Sequence, residues 1–236
     1  MFSEKEEPAS IGILVDLSGS MKDQKNTKLN EIEYSVDGIR SFIKSSGSGN
    51  TYFVKGFSSN SADVVDFTTD LSKIEKGLEE LSRLKPKGNT SVFDAVSAAI
   101  NKFADVKGKK ALILISDGID NASNISFKKL KQEIQESGVS IYLINCLRPQ
   151  ETETLQMPSA RQLEHFVEES GGLAFFPSKR EEATKSFEFL AKYIRFQYLL
   201  GFAPTRHKTK KWGKLSISIV TGSGRGDRVA QTGYYF

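Results

Sequence analysis

The sequence predicts an open, mostly parallel α/β sheet with helices on both faces. Three observations carry that prediction. Two short continuous apolar runs, Ile11 to Val15 and Ala111 to Ile115, stop abruptly, the first at Asp16 and the second at Ser116-Asp117-Gly118. Runs of this kind are strands buried on both faces, which is the mark of a parallel sheet. Between and after them, strand-like and helix-like segments alternate, so right-handed crossovers are expected. With 236 residues and 38% hydrophobic content, the chain can bury one substantial core.

In chain order, Leu29, Ile32, Val36, Ile39 and Ile43 recur at helical spacing, and the helix stops in the Gly-rich 45–50 stretch. Tyr52 to Phe57 and Val64 to Phe67 form a predicted hairpin around Ser58 to Ser61. Asp70 is placed to cap a helix carrying Leu71, Ile74, Leu78 and Leu81, and Val92, Val96, Ile100 and Phe103 mark the next. A helix through Phe127, Leu130 and Ile134 closes at Gly138. The strand Val139 to Asn145 follows, then a helix through Leu163 and Phe166 closing at Gly171. Leu173 to Phe176 reads as the last core strand, and 180–194 as the last helix. Beyond it, Leu215, Ile217 and Ile219 alternate with polar residues in a half-exposed strand, Lys214 to Val220. Its expected partner is Arg228 to Tyr235, joined to it by the Gly-rich 222–227 connection, which makes a small C-terminal antiparallel β extension. The domain reading is a lead-in over 1–9, one α/β domain over 10–196, and the extension over 197–236.

Composition narrows the function. Lys and Arg number 33 against 29 Asp and Glu, a formal charge of +4, and that balance gives no argument for nucleic acid. The densest basic stretch, Arg206 to Lys214, reads as a solvated loop. No apolar run approaches the ~18 residues of a membrane span, and the first residues lack the regions of a signal peptide. The single cysteine, Cys146, excludes an intramolecular disulfide and reads as a small core hydrophobe.

The sharpest local feature is Asp16-Leu17-Ser18-Gly19-Ser20, at the carboxyl end of the first buried strand, where open α/β sheets bind ligands. Alternate side chains of an extended loop point the same way, so Asp16, Ser18 and Ser20 converge. A carboxylate and two hydroxyls are hard donors that suit Mg²⁺, Mn²⁺ or Ca²⁺. More donors are needed for an octahedron, and two other loops offer them. Asp117 follows the second apolar run, and Thr90 immediately precedes the helix that begins near Val92. If neutral hydroxyls coordinate directly and the carboxylates act through water, the ion stays electrophilic and takes an acidic residue from a partner.

At these residues the chain resembles the von Willebrand factor type A superfamily, whose metal-ion-dependent adhesion site reads Asp-x-Ser-x-Ser, a distant Thr and a later Asp. Asp16, Ser18, Ser20, Thr90 and Asp117 match that pattern, supported by Gly-Asn-Thr-Ser-Val-Phe-Asp-Ala and Ile-Leu-Ile-Ser-Asp-Gly around the last two. The resemblance implies a Rossmann-like fold over nearly the whole chain and a non-enzymatic role in binding protein or peptide. It also implies one divalent cation, Mg²⁺ foremost, with Ser18, Ser20 and Thr90 as direct ligands and Asp16 and Asp117 acting through water. The tail, from Ile194 to Phe202 and on through Gly233-Tyr234-Tyr235, is similar to a bacterial subgroup that usually carries a signal peptide and a β-rich segment before the A domain. If Met1 is a boundary inside a longer protein, that likeness implies export.

The rival reading is a Mg²⁺-dependent phosphoryl-transfer or hydrolytic enzyme using Asp16. An Asp at the end of a first strand also begins the haloacid dehalogenase motif, but that motif needs a second carboxylate two residues on, where this chain has Ser18. The chain also lacks a P-loop, and His165 and His207 have no triad-like context. Asp120 and Asn121, just beyond Asp117, are placed to tune the site but read first as solvated loop residues, His165 reads as a surface histidine, and Arg225-Gly226-Asp227 as the tip of a Gly-rich hairpin.

Overall fold

A computed structural model describes residues 7–21, 31–145, 158–177 and 179–197, together with 212–214, 218–221, 224–227 and 233–235. Six strands form one sheet: β1 (Ala9–Asp16), β2 (Thr51–Phe57), β3 (Ser61–Thr68), β4 (Lys109–Ser116), β5 (Ser140–Asn145) and β6 (Ala174–Phe175). Their order is β3-β2-β1-β4-β5-β6, with β3 antiparallel to β2 and every other pair parallel. The predicted mostly parallel sheet and its one hairpin are therefore present.

Each central strand divides its side chains between two cores. Ile11, Ile13 and Val15 of β1, with Ala111, Ile113 and Ile115 of β4, face a layer built from α1 (Glu31–Ser45), α2 (Leu71–Ser82) and α6 (Arg180–Arg195). Leu14, Leu112 and Leu114 face the opposite layer of α3 (Val92–Lys102), α4 (Phe127–Ser137) and α5 (Pro158–Glu169). Period-two alternation thus serves two apolar faces at once, which is why both runs are continuous. Phe53, Phe67 and Phe103 pack edge-on at one end of the second core, with centroids 4.8 to 5.6 Å apart. At the other, Phe93 meets Phe127 and Phe166 edge-on at 6.4 and 6.2 Å, while Phe127 and Phe166 stack at 4.5 Å.

Local signals place the helix ends. The Asp70 carboxylate accepts from the amides of Ser72 and Lys73 and so caps α2. Gly138 ends α4 in the left-handed region at φ 63°. Four expectations change. Leu71 sits in the first turn of α2, 59% exposed, outside the buried stripe of Ile74, Gly77, Leu78 and Leu81. β6 shrinks to two half-buried residues, and Phe176 is 46% exposed. The single strand expected over Lys214 to Val220 is represented by β7 (Trp212–Lys214) and β8 (Ser218–Thr221). Of the expected Arg228 to Tyr235 partner, β10 (Gly233–Tyr235) pairs with β7. β8 pairs instead with β9 (Gly224–Asp227), so Arg225-Gly226-Asp227 is strand, not hairpin tip. Leu29, Cys146, His207 and 206–211 of the basic stretch lie outside the described residues, as do 215–217. No helix among the described residues is long and apolar enough to cross a membrane.

Close backbone approach positions the last strand. A Cβ on Gly172 would lie 1.6 Å from the carbonyl oxygen of Ile141 in β5. Since backbone cannot rotate away as a side chain can, Gly172→Ala is expected to destabilise the fold by about 3 kcal/mol. Urea unfolding followed by circular dichroism measures it, and an unchanged midpoint would contradict this packing.

Candidate metal centre

β1 lies between β2 and β4, so the connections from the sheet centre run to opposite sides and leave a crevice beyond the carboxyl ends of β1 and β4. The register sets Val15 opposite Ile115, which brings Asp16 and the Ser116-Asp117 pair to the same edge. The three loops singled out from the sequence meet there. Asp16 and Asp117 are buried, as are Ser18 and Thr90, whereas Ser20 is exposed.

Asp16 is held at both oxygens. Its Oδ1 accepts the Ser18 amide at 2.8 Å, and its Oδ2 accepts the Ser116 hydroxyl at 2.6 Å. The hydroxyls of Ser18 and Ser20 share a hydrogen bond of 2.9 Å. Asp117 Oδ1 accepts the Ile119 amide at 3.0 Å, and the Asn145 side chain donates to the Asp117 carbonyl at 3.3 Å. Burial, and next the negative charge of Asp117, push the Asp16 carboxyl up from 3.8 to about 6, against the lowering pull of the bonds from Ser116 and Ser18.

The first loop is fastened by main-chain bonds. Leu17 N donates to Phe57 O at 2.6 Å, Lys87 N to Leu17 O at 2.8 Å, and Gly19 N to Gly88 O at 2.9 Å. The Thr90 loop is joined to the Asp117 loop by a longer zipper. Thr90 N donates to Asn121 Oδ1 at 2.8 Å, and the Thr90 carbonyl accepts from Asn121 N and Ala122 N. Ser91, at the N-cap of α3, makes no side-chain cap bond. The free amides of that helix start are met from across the crevice, Phe93 N by Asp120 Oδ1 at 3.3 Å and Asp94 N by Ser123 Oγ at 3.1 Å. Asp94 returns the contact, accepting from Asn124 N, Asn124 Nδ2 and Ile125 N at 2.9 to 3.0 Å. Burial would raise the Asp94 carboxyl, but these donors hold it below its ordinary value.

All five residues predicted for the site thus lie at one edge of the sheet, Asp16 at the end of β1 and the others beyond the strands, with Asp16, Ser18 and Ser20 linked by hydrogen bonds. Asp120 and Asn121 are not merely solvated, because both organise the Thr90 loop. Ser116, Asp94 and Ser123 are contributors that the sequence reading passed over. His165 is a half-exposed surface histidine, 3.2 Å from Glu169.

Residues 11–119 match the von Willebrand factor type A domain. Domains of this type are typically non-enzymatic interaction modules. Over 137 residues the chain is 26% identical to an uncharacterized protein of Borreliella burgdorferi, a match that takes in 58% of this chain and 40% of that protein. The solved A domain of Catenulispora acidiphila superposes with a TM-score of 0.62 at 16% identity, covering 80% of this chain and 43% of that one. An aerotolerance-related membrane protein of Bacteroides fragilis gives a TM-score of 0.62, again at 16% identity, over 79% of this chain and all of that one. At such identities the likeness concerns the A-domain fold alone.

Two measurements test the geometry. The folded state holds the Asp16 proton more tightly than an unfolded chain does, so stability in chelator should fall as pH rises from about 4 to about 6. The loss is about 3 kcal/mol from this group, and Asp16→Asn should flatten that slope in urea unfolding. Asp94→Ala should cost about 2 kcal/mol and speed hydrogen exchange at the amides of Asn124 and Ile125. Unchanged exchange there would mean the Asp94 bonds do not hold the loop.

Proposed function

We propose that this A domain binds a protein or peptide through one divalent cation, Mg²⁺ foremost, with Mn²⁺ or Ca²⁺ as substitutes. Ser18, Ser20 and Thr90 would hold the ion directly, with Asp16 and Asp117 acting through water. The observation that carries this reading is the pair of buried carboxylates at the sheet edge. Burial first, and then the charge of Asp117, raises Asp16 to about 6, with no cationic side chain among the described residues contributing to that shift. Buried like charges are costly unless a cation compensates them, and the neighbouring Ser18 and Ser20 hydroxyls are hard neutral donors. An ion held chiefly by neutral oxygens retains enough charge to accept an Asp or Glu carboxylate from the partner.

The residues' own tasks follow from their bonds. Ser116 and the Ser18 amide orient Asp16, the 120–125 loop orients Thr90, and Gly19, bonded to Gly88, fixes the path that presents Ser20. The enzymatic alternative has less support. Position 18 supplies a hydroxyl bonded to Ser20 where the haloacid dehalogenase motif needs a second carboxylate.

Calorimetric titration of Mg²⁺, Mn²⁺ and Ca²⁺ into wild type and Asp16→Ala tests the proposal. Wild type should take up one ion, with Asp16→Ala losing at least about tenfold in affinity. Equal binding by the two proteins would reject the site. Metal-dependent release of phosphate from model esters would favour the enzyme instead.

A further inference from the structure

The segment that follows α2, residues 83–89, runs irregularly past the candidate metal centre with its main chain tied down along its length. Arg83 N and Leu84 N donate to Glu80 O and Leu81 O, and Lys87 N donates to Leu17 O. Gly88 O accepts from Gly19 N, and Asn89 N donates to Ser59 Oγ. Two of these bonds reach the very loop that carries Asp16, Ser18 and Ser20. The side chains of this rail are presented outward: Arg83, Lys85 and Lys87 are exposed, and Leu84 between them is 44% exposed. None of the three cations has an ion-pair partner among the described residues.

Among the described residues, the acidic groups of the same edge are turned inward or held by donors. Asp16 and Asp117 are buried. Asp120 is engaged by Phe93 N and the Ser123 hydroxyl, and Asp94 by three donors from Asn124 and Ile125. Asp63, at the start of β3, is paired with Lys55 and Lys102. The exposed acids nearest in sequence, Glu79 and Glu80, belong to the last turns of α2.

We infer that the rail formed by Arg83, Leu84, Lys85 and Lys87 is a docking surface for an acidic polypeptide segment that also engages the metal centre, with an apolar side chain of the segment against Leu84. The inference rests on the proposed metal-dependent binding and adds what selects the partner: several carboxylates in one extended stretch. A loop already fastened to the metal loop loses little entropy when the segment binds, so its charges act at full effect. An acidic polypeptide fits better than nucleic acid, because three cations and one apolar side chain make a short footprint beside a site that takes carboxylate oxygen.

The test uses the full chain with Mg²⁺ and two fluorescein-labelled peptides. One alternates glutamate and serine around a central leucine, and the other is a Ser-Gly peptide with a single aspartate. Wild type should bind the acidic peptide about tenfold more tightly than the other, and Lys85→Glu/Lys87→Glu should remove that preference. Raising salt from about 0.05 to 0.5 M should weaken only the acidic peptide markedly. The doubly substituted protein should keep wild-type thermal unfolding and the wild-type Mg²⁺ isotherm. The rail is overturned if the variant binds the acidic peptide as wild type does, if wild type shows no preference, or if a single-stranded oligonucleotide displaces the peptide at equal charge. Failure of the metal reading is recorded separately, by a wild-type Mg²⁺ isotherm indistinguishable from that of Asp16→Ala.

Discussion

The pairing of β1 with β4 is the constraint on which the rest depends. Both strands are buried on both faces, and their parallel register brings two acidic strand ends to one edge of the sheet. Were β1 shifted by one residue against β4, Ile11, Ile13 and Val15 would exchange cores and Asp16 would leave Ser116. The packing that makes the fold stable therefore also fixes the distance between the two carboxylates. Fold and site are not separable here, because one ladder of hydrogen bonds specifies both.

That arrangement has an electrostatic consequence. Asp16 is wholly buried, yet its two charged oxygens are met by an amide and a hydroxyl rather than by a cation. Neutral donors stabilise a carboxylate without cancelling its charge, so Asp117 nearby keeps its repulsive effect. The site is thus ordered by polar bonds and still carries negative potential, the condition under which a hard cation adds stability to the folded state.

Much of this was legible in the sequence, and the parts that were not share a cause. Apolar runs followed by Asp16 and by Ser116-Asp117 reveal the sheet and its binding edge because every residue of the two runs is buried. Thr90 is legible because it stands directly before a helix with a clear apolar stripe. Ser116 was passed over since a hydroxyl at the end of an apolar run looks like the strand's termination. Asp94 and Asp120 act on groups 27 to 31 positions away, and local patterns carry no signal for bonds of that span. Leu71 has the right helical spacing, yet its place in the first turn leaves it outside the buried stripe, so periodicity overcounted it. In β9 the glycines suggest a turn, and only the backbone pairing with β8 shows a strand.

The loops differ in how they are held, and the difference gives the edge a direction. Thr90 and Asp117 belong to one zippered unit, in which α3 receives its missing caps from the 120–125 loop. The Asp16 loop is attached on its other side, through Leu17 to Phe57 and Lys87 and through Gly19 to Gly88. Among the five predicted site residues only Ser20 is exposed, next to the glycine bonded to Gly88. The zipper thus lies on one flank of the edge, and on the other the first loop meets the Arg83 to Lys87 rail. On the proposed binding, an acidic ligand reaching Ser20 beside that rail would feel its exposed cations before any contact with the buried carboxylates.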